Sequence, residues 1–225
     1  MNVNSDFSET VALKSNEIDW KKSPMPGVDR RMLDRMGDEV ARATTIVRYA
    51  PESSFSAHTH SGGEEFIVLE GTFQDEHGDY PAGTYVRNPI GTGHTPRSNQ
   101  GCTIFVKLWQ FDPNDDDQFH IDMNQAALEQ DPDDSAIRRM RLHEFGDELV
   151  ELEEWAAEAV VTIDSNGGVE LLVLAGTIEF EGDTYSQHDW IRLPADKVAV
   201  VRAGSEGARI WKKSGHLRNV VAPKA

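Results

Sequence analysis

The sequence predicts an all-β fold in which two β-barrels of similar design follow one another along 225 residues. Three observations predict it. Short runs rich in β-branched and aromatic residues recur along the chain, and turns containing glycine separate them. The 18 Gly and 10 Pro residues supply the many turns that an all-β fold needs. The two halves of the chain are related by an internal repeat.

The repeat has a constant offset of 105 positions, the separation of Gly71 and Gly176. At this offset the segment 63–72 aligns with the segment 168–177. Identical residues recur in separated blocks: Gly62 and Gly167, Gly71 and Gly176, Tyr80 and Tyr185, Arg87 and Arg192, Pro89 and Pro194. One offset shared by separated blocks indicates two copies of one structural unit.

Composition along the chain predicts the domain boundaries. Residues 1–111 form the first barrel in this interpretation, and residues 137–225 form the second. The intervening segment 112–136 contains nine acidic residues and neither Lys nor Arg. Such a segment is typical of a solvated connection, so we expect an acidic linker there with a short helix near residues 124–129.

The net charge and the cysteine content exclude several functions. The chain carries 22 Lys and Arg against 39 Asp and Glu, a formal net charge of −17. A nucleic acid or an anionic membrane requires a basic surface, so neither is an expected partner. The single cysteine, Cys102, excludes an internal disulfide. No signal peptide and no apolar run long enough to span a membrane is present, so a cytoplasmic location is expected.

One group of residues has the spacing of metal ligands. His58 and His60 are two positions apart, so on a strand they point to the same face. The Gly62-Gly63 turn reverses the chain and brings Glu64 towards them, and His94 follows from a later strand. Three imidazoles and one carboxylate suit zinc, iron, nickel, manganese or copper. The catalytic residues stay unassigned, because no general acid, general base or substrate-binding cation stands out.

The repeat supports this assignment from within the chain. At the same offset the four candidate ligands are all replaced, by Ile163, Ser165, Val169 and Ala199. Residues that disappear as a set served one purpose, so the second barrel is predicted to lack a metal site. Glu65, in contrast, is retained as Glu170. This distinguishes Glu64 as the ligand from Glu65, which we expect to serve the fold of both copies.

These residues carry a resemblance to a known family. The pattern His58-x-His60-x-x-x-Glu64 followed by Gly71 resembles the first cupin motif, and the segment 83–94 ending in His94 resembles the second. Over residues 20–111 the sequence is similar to the ChrR-like cupins, which are named for the C-terminal domain of the ChrR anti-sigma factor. The resemblance implies a jelly-roll barrel with zinc on His58, His60, Glu64 and His94. Over 137–217 only the repeat supports a cupin.

The resemblance leaves two functions open. Residues 1–40 contain neither His nor Cys and are too short for the anti-sigma domain of ChrR, so sigma-factor binding is not expected. The first hypothesis is a zinc-stabilised sensor or regulatory domain. The alternative is a non-haem iron(II) dioxygenase that cleaves C–C bonds of small diketones or hydroxyacetophenones, and nickel or manganese are further candidates for the metal. We also expect a small-molecule ligand in the metal barrel, a structural role for the second barrel, and a homodimer.

Overall fold

The computed structural model describes residues 1–38 and 40–223. Within them it has 22 strands, two 3-10 helices (Ser15–Glu17 and Met123–Gln125) and no α-helix, which confirms the expected all-β class. The strands, in chain order, are β1 (Asn2–Val3), β2 (Val11–Leu13), β3 (Lys21–Lys22), β4 (Val28–Gly37), β5 (Ala41–Tyr49), β6 (Ser53–Ser54), β7 (His58–Thr59), β8 (Glu64–Gln74), β9 (Asp79–Pro81), β10 (Thr84–Asn88), β11 (Gly93–His94), β12 (Arg97–Ser98), β13 (Cys102–Leu108), β14 (Phe119–Asp122), β15 (Glu129–Gln130), β16 (Ile137–Phe145), β17 (Glu148–Trp155), β18 (Val160–Asp164), β19 (Val169–Phe180), β20 (Asp183–Tyr185), β21 (Trp190–Leu193) and β22 (Val198–Ser214). No helix among the described residues is long and apolar enough to cross a membrane.

The chain divides into two compact units whose boundaries differ from the predicted ones. The first contains Met1–Ser5 and Asp19–Gln125, and the second contains Asp6–Ile18 and Ala126–Val220. The N-terminal segment Asp6–Ile18 belongs to the second unit because β2 pairs with β21 there. The sequence analysis placed this segment in the first barrel. A strand as short as β2 carries no local signal for its partner, which lies far along the chain.

The acidic segment 112–136 is more ordered than the predicted linker. Its first half contributes β14, which pairs with β10 in the first unit. Its second half contributes β15, which pairs with β16 in the second unit. The helix expected near residues 124–129 is limited to the 3-10 turn at Met123–Gln125. Carboxylates here cap turns of their own segment, as when Asp131 Oδ1 accepts the backbone N–H groups of Asp133 and Asp134.

The first unit is built on one large sheet and one small ribbon. The main path of the sheet runs β1-β4-β5-β13-β8-β10-β14, and β7 and β11 form a separate two-stranded ribbon. The apolar face of the sheet packs a core of Val28, Val47, Phe66, Val68, Phe73, Tyr80, Val86, Cys102, Ile104 and Val106. Alternate residues of each strand supply this core, because successive side chains point to opposite faces of the sheet. The other face of the central strands is also buried, as Ile67, Tyr85 and Phe105 show.

The second unit repeats this plan. Its sheet runs β15-β16-β17-β22-β19-β21-β2. In this order β19 pairs with β21 and β22, as β8 pairs with β10 and β13 in the first unit. The outermost strand of each path comes from a different part of the chain, β14 in the first unit and β2 in the second. The offset read from the sequence therefore corresponds to equivalent strands.

The glycine retained in both copies has the same structural cause in each. Gly71 has φ +71°, and Gly176 has φ +72°. A Cβ on Gly71 would lie 2.2 Å from the carbonyl oxygen of Gly101, and one on Gly176 would lie 2.1 Å from that of Gly207. Left-handed backbone combined with this close approach permits only glycine. The conserved position marks the point where the long strand bends in each unit.

Candidate metal centre

The small ribbon of the first unit brings two of the candidate ligands directly opposite each other. His58 on β7 pairs with His94 on β11 in an antiparallel register. Paired residues on adjacent strands project to the same side, so both rings point the same way. Their ring centroids are 4.9 Å apart.

His60 and Glu64 reach the same point from the two sides of the Gly62-Gly63 turn. The backbone N–H of His60 donates to the carbonyl of Thr92 at 2.8 Å, which holds it beside the second ligand segment. Glu64 begins β8, where it pairs with Asn88 on β10. The chain must therefore turn tightly between a short ribbon and a long strand.

The four side chains converge as the spacing predicted. The ring of His60 lies 5.1 Å from that of His58 and 4.7 Å from that of His94, measured between centroids. Oε1 of Glu64 lies 3.6 Å from Nδ1 of His60 and 3.6 Å from Nε2 of His94. One ligand atom from each of the four residues lies within 4.8 Å of the others. They could hold a metal ion together.

Burial shows that the centre has a closed and an open side. His60, Glu64 and His94 are buried, whereas His58 is exposed. Nε2 of His60 is buried and has no hydrogen-bond partner among the described residues. An unsatisfied buried nitrogen is costly unless it binds something, and a divalent cation would satisfy it. The donor set thus fits a borderline transition metal, with access from the side of His58.

The pKa values of the two buried imidazoles are shifted in opposite directions. Burial lowers the pKa of His60, and although Glu64 opposes this effect the net shift is downward. Burial also acts against protonation of His94, but its hydrogen bond to Asp75 and the charge of Glu64 raise its pKa above the ordinary value. A neutral His60 can act as a ligand without first losing a proton.

Asp75 is a functional candidate that sequence reasoning missed. Its Oδ2 lies 3.1 Å from Nδ1 of His94, so this ring nitrogen donates and Nε2 remains available as a ligand atom. Oδ1 of Asp75 accepts the backbone N–H groups of His77 and Gly78, which fix the carboxylate. A carboxylate behind a ligating histidine is a recurrent feature of metal sites. The repeat contained the signal, because Asp75 corresponds to Phe180 and is lost with the ligands.

Glu65 lies on the opposite face of β8 from Glu64, because successive strand residues alternate. It accepts hydrogen bonds from the hydroxyl of Tyr85 at 2.7 Å and from the guanidinium of Arg87 at 3.0 Å. Arg87 is fully buried and also forms an ion pair with Asp115 at 2.6 Å. Glu65 therefore serves the packing of the sheet, as expected from its retention in both copies.

The equivalent positions in the second unit are filled by apolar packing. Ile163, Val169 and Ala199 are buried in one hydrophobic cluster. The fourth position, Ser165, is buried, and its hydroxyl oxygen lies 2.6 Å from the backbone carbonyl oxygens of Pro194 and Lys197, either of which can accept its single O–H. The side chains that replace the ligands thus stabilise a core and a loop, and none of these four has a metal-binding atom directed into that core.

Comparison with known proteins agrees with the fold and with the resemblance of the first half. Residues 8–112 match the family model of the ChrR cupin-like domain. No curated protein matches the sequence.

Three solved structures illustrate the similarity of the whole chain. A putative dioxygenase from Nostoc punctiforme has a TM-score of 0.77 and 14% identity, covering 97% of this chain and 87% of its own. A cupin 2 conserved barrel domain protein from Leptotrichia buccalis has a TM-score of 0.63 and 10% identity, covering 94% and 98%. The pirin YhhW from Escherichia coli, in complex with nickel(II), has a TM-score of 0.59 and 19% identity, covering 92% and 99%. At these identities the similarity shows a shared cupin fold.

Proposed function

We propose that the first unit binds one divalent metal ion through His58, His60, Glu64 and His94. The observation that carries this proposal is their convergence around a buried His60 nitrogen that has no other described partner. The support of Asp75 behind His94 adds to it. The nickel(II) in the pirin structure is a property of that protein, but it supports the proposal that this fold accommodates such an ion.

For the biological role, we propose a zinc-stabilised regulatory domain. Four protein ligands complete the tetrahedral coordination that zinc prefers, so a closed site would stabilise the unit without activating water. The match of residues 8–112 to the ChrR cupin-like domain supports this role. Regulation would then act through metal loss or through a small molecule that reaches the site at the exposed His58. A sigma factor is not part of the proposal.

A second candidate function is an iron(II)-dependent dioxygenase. The specific observation in its favour is that His58 is exposed while the other three ligands are buried, so one side of the metal would face solvent. Iron with free coordination positions supplies the oxygen chemistry of such enzymes. The chain itself would hold the ion and orient His94 through Asp75. Phe73 would provide an apolar surface beside His94, since the two ring centroids are 5.6 Å apart.

For the second unit we propose a structural role as a degenerate cupin. Its apolar cluster at Ile163, Val169 and Ala199 supports this proposal. We further propose that the chain forms a homodimer in solution, which sedimentation equilibrium would test directly.

Metal content tests the central proposal. We expect protein purified anaerobically to contain one transition metal ion per chain by elemental analysis. His60→Ala should lower the metal content severalfold, whereas His188→Ala, in the second unit, should leave it unchanged. Equal metal content in wild type and His60→Ala would refute the ligand assignment.

The identity and reactivity of the metal separate the two roles. Zinc in a four-coordinate site, with no oxygen consumption on any diketone, supports the regulatory domain. Iron(II) accompanied by oxygen uptake on acetylacetone or a hydroxyacetophenone supports the dioxygenase. Reconstitution of the metal-free protein with each ion, followed by oxygen-electrode measurement, makes the comparison independent of the metal acquired during expression.

A further inference from the structure

Arg35 lies on the same face of the first unit's sheet as Glu64. Strand pairing relates them across four strands, because Glu64 pairs with Leu108, Leu108 with Ala43, and Ala43 with Arg35. Directly paired residues project to the same face. The metal-ligand face therefore carries a cation on β4.

Arg30 lies on this face as well. Val68, four positions after Glu64 on β8, pairs with Ile104, which pairs with Val47, which pairs with Arg30. Arg30 and Arg35 are an odd number of positions apart, and a register shift between Met32 and Asp34 brings them to one face.

Neither arginine forms an ion pair with a carboxylate in the part of the chain that the structure describes. Nε of Arg30 is buried and has no hydrogen-bond partner there. Arg35 donates to the backbone carbonyl of Asp38. Burial and the like charge of Arg30 lower the pKa of Arg35, and the charge of Asp38 opposes them only in part. Both arginines are partly buried, and an anion bound there would offset the loss of water around their charges.

The second unit has an arginine in the equivalent place. Arg139 pairs with Glu153, Glu153 with Ile210, and Ile210 with Val173. This is the same path of strands that leads from Arg30 to Val68, since Val173 is the repeat counterpart of Val68. Arg139 thus corresponds to Arg30.

The equivalent arginine has two carboxylate partners, whereas Arg30 has none among the described residues. Arg139 forms ion pairs with Asp131 and with Glu151, the latter at 3.5 Å. Glu151 also pairs with Lys212 at 2.9 Å, and Lys212 pairs with Glu153. The three carboxylates are buried. The second unit, which lacks the candidate metal ligands, therefore pairs its arginine at this position with its own carboxylates. In the first unit, no described carboxylate pairs with Arg30.

We propose that the first unit binds a small carboxylate-bearing molecule, whose carboxylate pairs with Arg30 and Arg35 on the face shared with the metal ligands. The carboxylates of Asp131 and Glu151 beside Arg139 indicate this anion class, because they are the anions that the second unit places at the equivalent position. A planar guanidinium can donate two parallel hydrogen bonds to such a carboxylate. The inference deepens the proposed function, since a ligand on this face would have its other end towards the metal site.

Calorimetric titration of the metal-loaded full-length protein tests the inference. The probes are formate, succinate and benzoate, with inorganic phosphate as the competing anion. We expect at least one carboxylate to bind, and Arg30→Met to weaken it about tenfold or more, the effect of losing a charge-assisted pair. Arg30→Lys should weaken it less. Arg48→Met is the matched control, because Arg48 pairs with Asp29 on the opposite face of the sheet, and it should bind like wild type.

Metal content, measured on every variant, distinguishes this inference from the metal site. Wild type that holds metal but binds none of the three carboxylates would overturn the inference and leave the metal proposal intact. Equal carboxylate affinity in wild type and Arg30→Met would overturn it too, as would Arg30-dependent binding of phosphate alone. If Arg30→Met fails to fold, Arg35→Met and Arg30→Lys provide the same comparison.

Discussion

Oδ2 of Asp75 lies 3.1 Å from Nδ1 of His94, on the far side of the ring from Glu64. Asp75 thus orients the candidate ligand His94, although the turn that carries Asp75 contributes no candidate ligand. The carboxylate is buried, and two backbone N–H groups of that turn hold it in place. In the proposed metal site, the affinity for the ion would therefore depend on a residue outside the ligand set.

Asp75→Asn should weaken metal binding by about tenfold to a hundredfold, because the neutral amide no longer orients the His94 ring or strengthens it as a donor. Competition with a chromophoric chelator measures the affinity. Asp79→Asn is the control, since Asp79 is an exposed residue of the same hairpin that bonds Gln74. Identical affinities in the two variants would show that Asp75 has no positioning role.

Removal of the metal should lower the melting temperature of the first unit alone. A ligand that binds only the folded state stabilises it by about 2.7 kcal/mol at a hundred times its dissociation constant. Differential scanning calorimetry with and without a chelator measures the effect. His60→Ala should show no response to the chelator. A loss of stability as large in this variant as in wild type would point to chelator effects unrelated to the site.

Val169→Glu should destabilise the second unit by about 3 kcal/mol or more, because a carboxylate there enters an apolar cluster without a partner. The substitution restores the repeat counterpart of Glu64, yet without the three histidines it has no metal to bind. Val198→Glu, on an exposed position of β22, is the matched control and should change stability little. Urea unfolding curves compare the two. A destabilisation of equal size would mean that the degenerate site is not a packed core.

Gly176→Ala should lower the free energy of unfolding more than Gly182→Ala does. Both glycines have positive φ, +72° and +88°, so both substitutions strain the backbone. Only at Gly176 would the new Cβ meet a backbone oxygen, that of Gly207 at 2.1 Å, whereas nothing lies within 4 Å of a Cβ at Gly182. Chemical denaturation of the two variants isolates the steric part of the cost. Equal losses would leave conformational strain as the sole cause.

Local patterns determined the fold class and the candidate ligands. The alternation of apolar residues, the turn glycines and the repeat reveal two β-units, because the requirement for a buried face acts over a few neighbouring residues. Likewise His58, His60 and Glu64 lie within seven positions, so the strand period and one turn suffice to bring them together. The joint loss of the four residues in the second copy, including His94, was visible without any coordinates.

Tertiary structure alone decided the long-range pairings. The segment Asp6–Ile18 belongs to the second unit because β2 pairs with β21, a choice among edge strands that a short strand does not encode. Asp75 meets His94 through the β8–β9 turn, and Arg30 and Arg35 share the ligand face through a register shift. Each depends on geometry accumulated over several strands, where one shifted residue changes the face to which a side chain points.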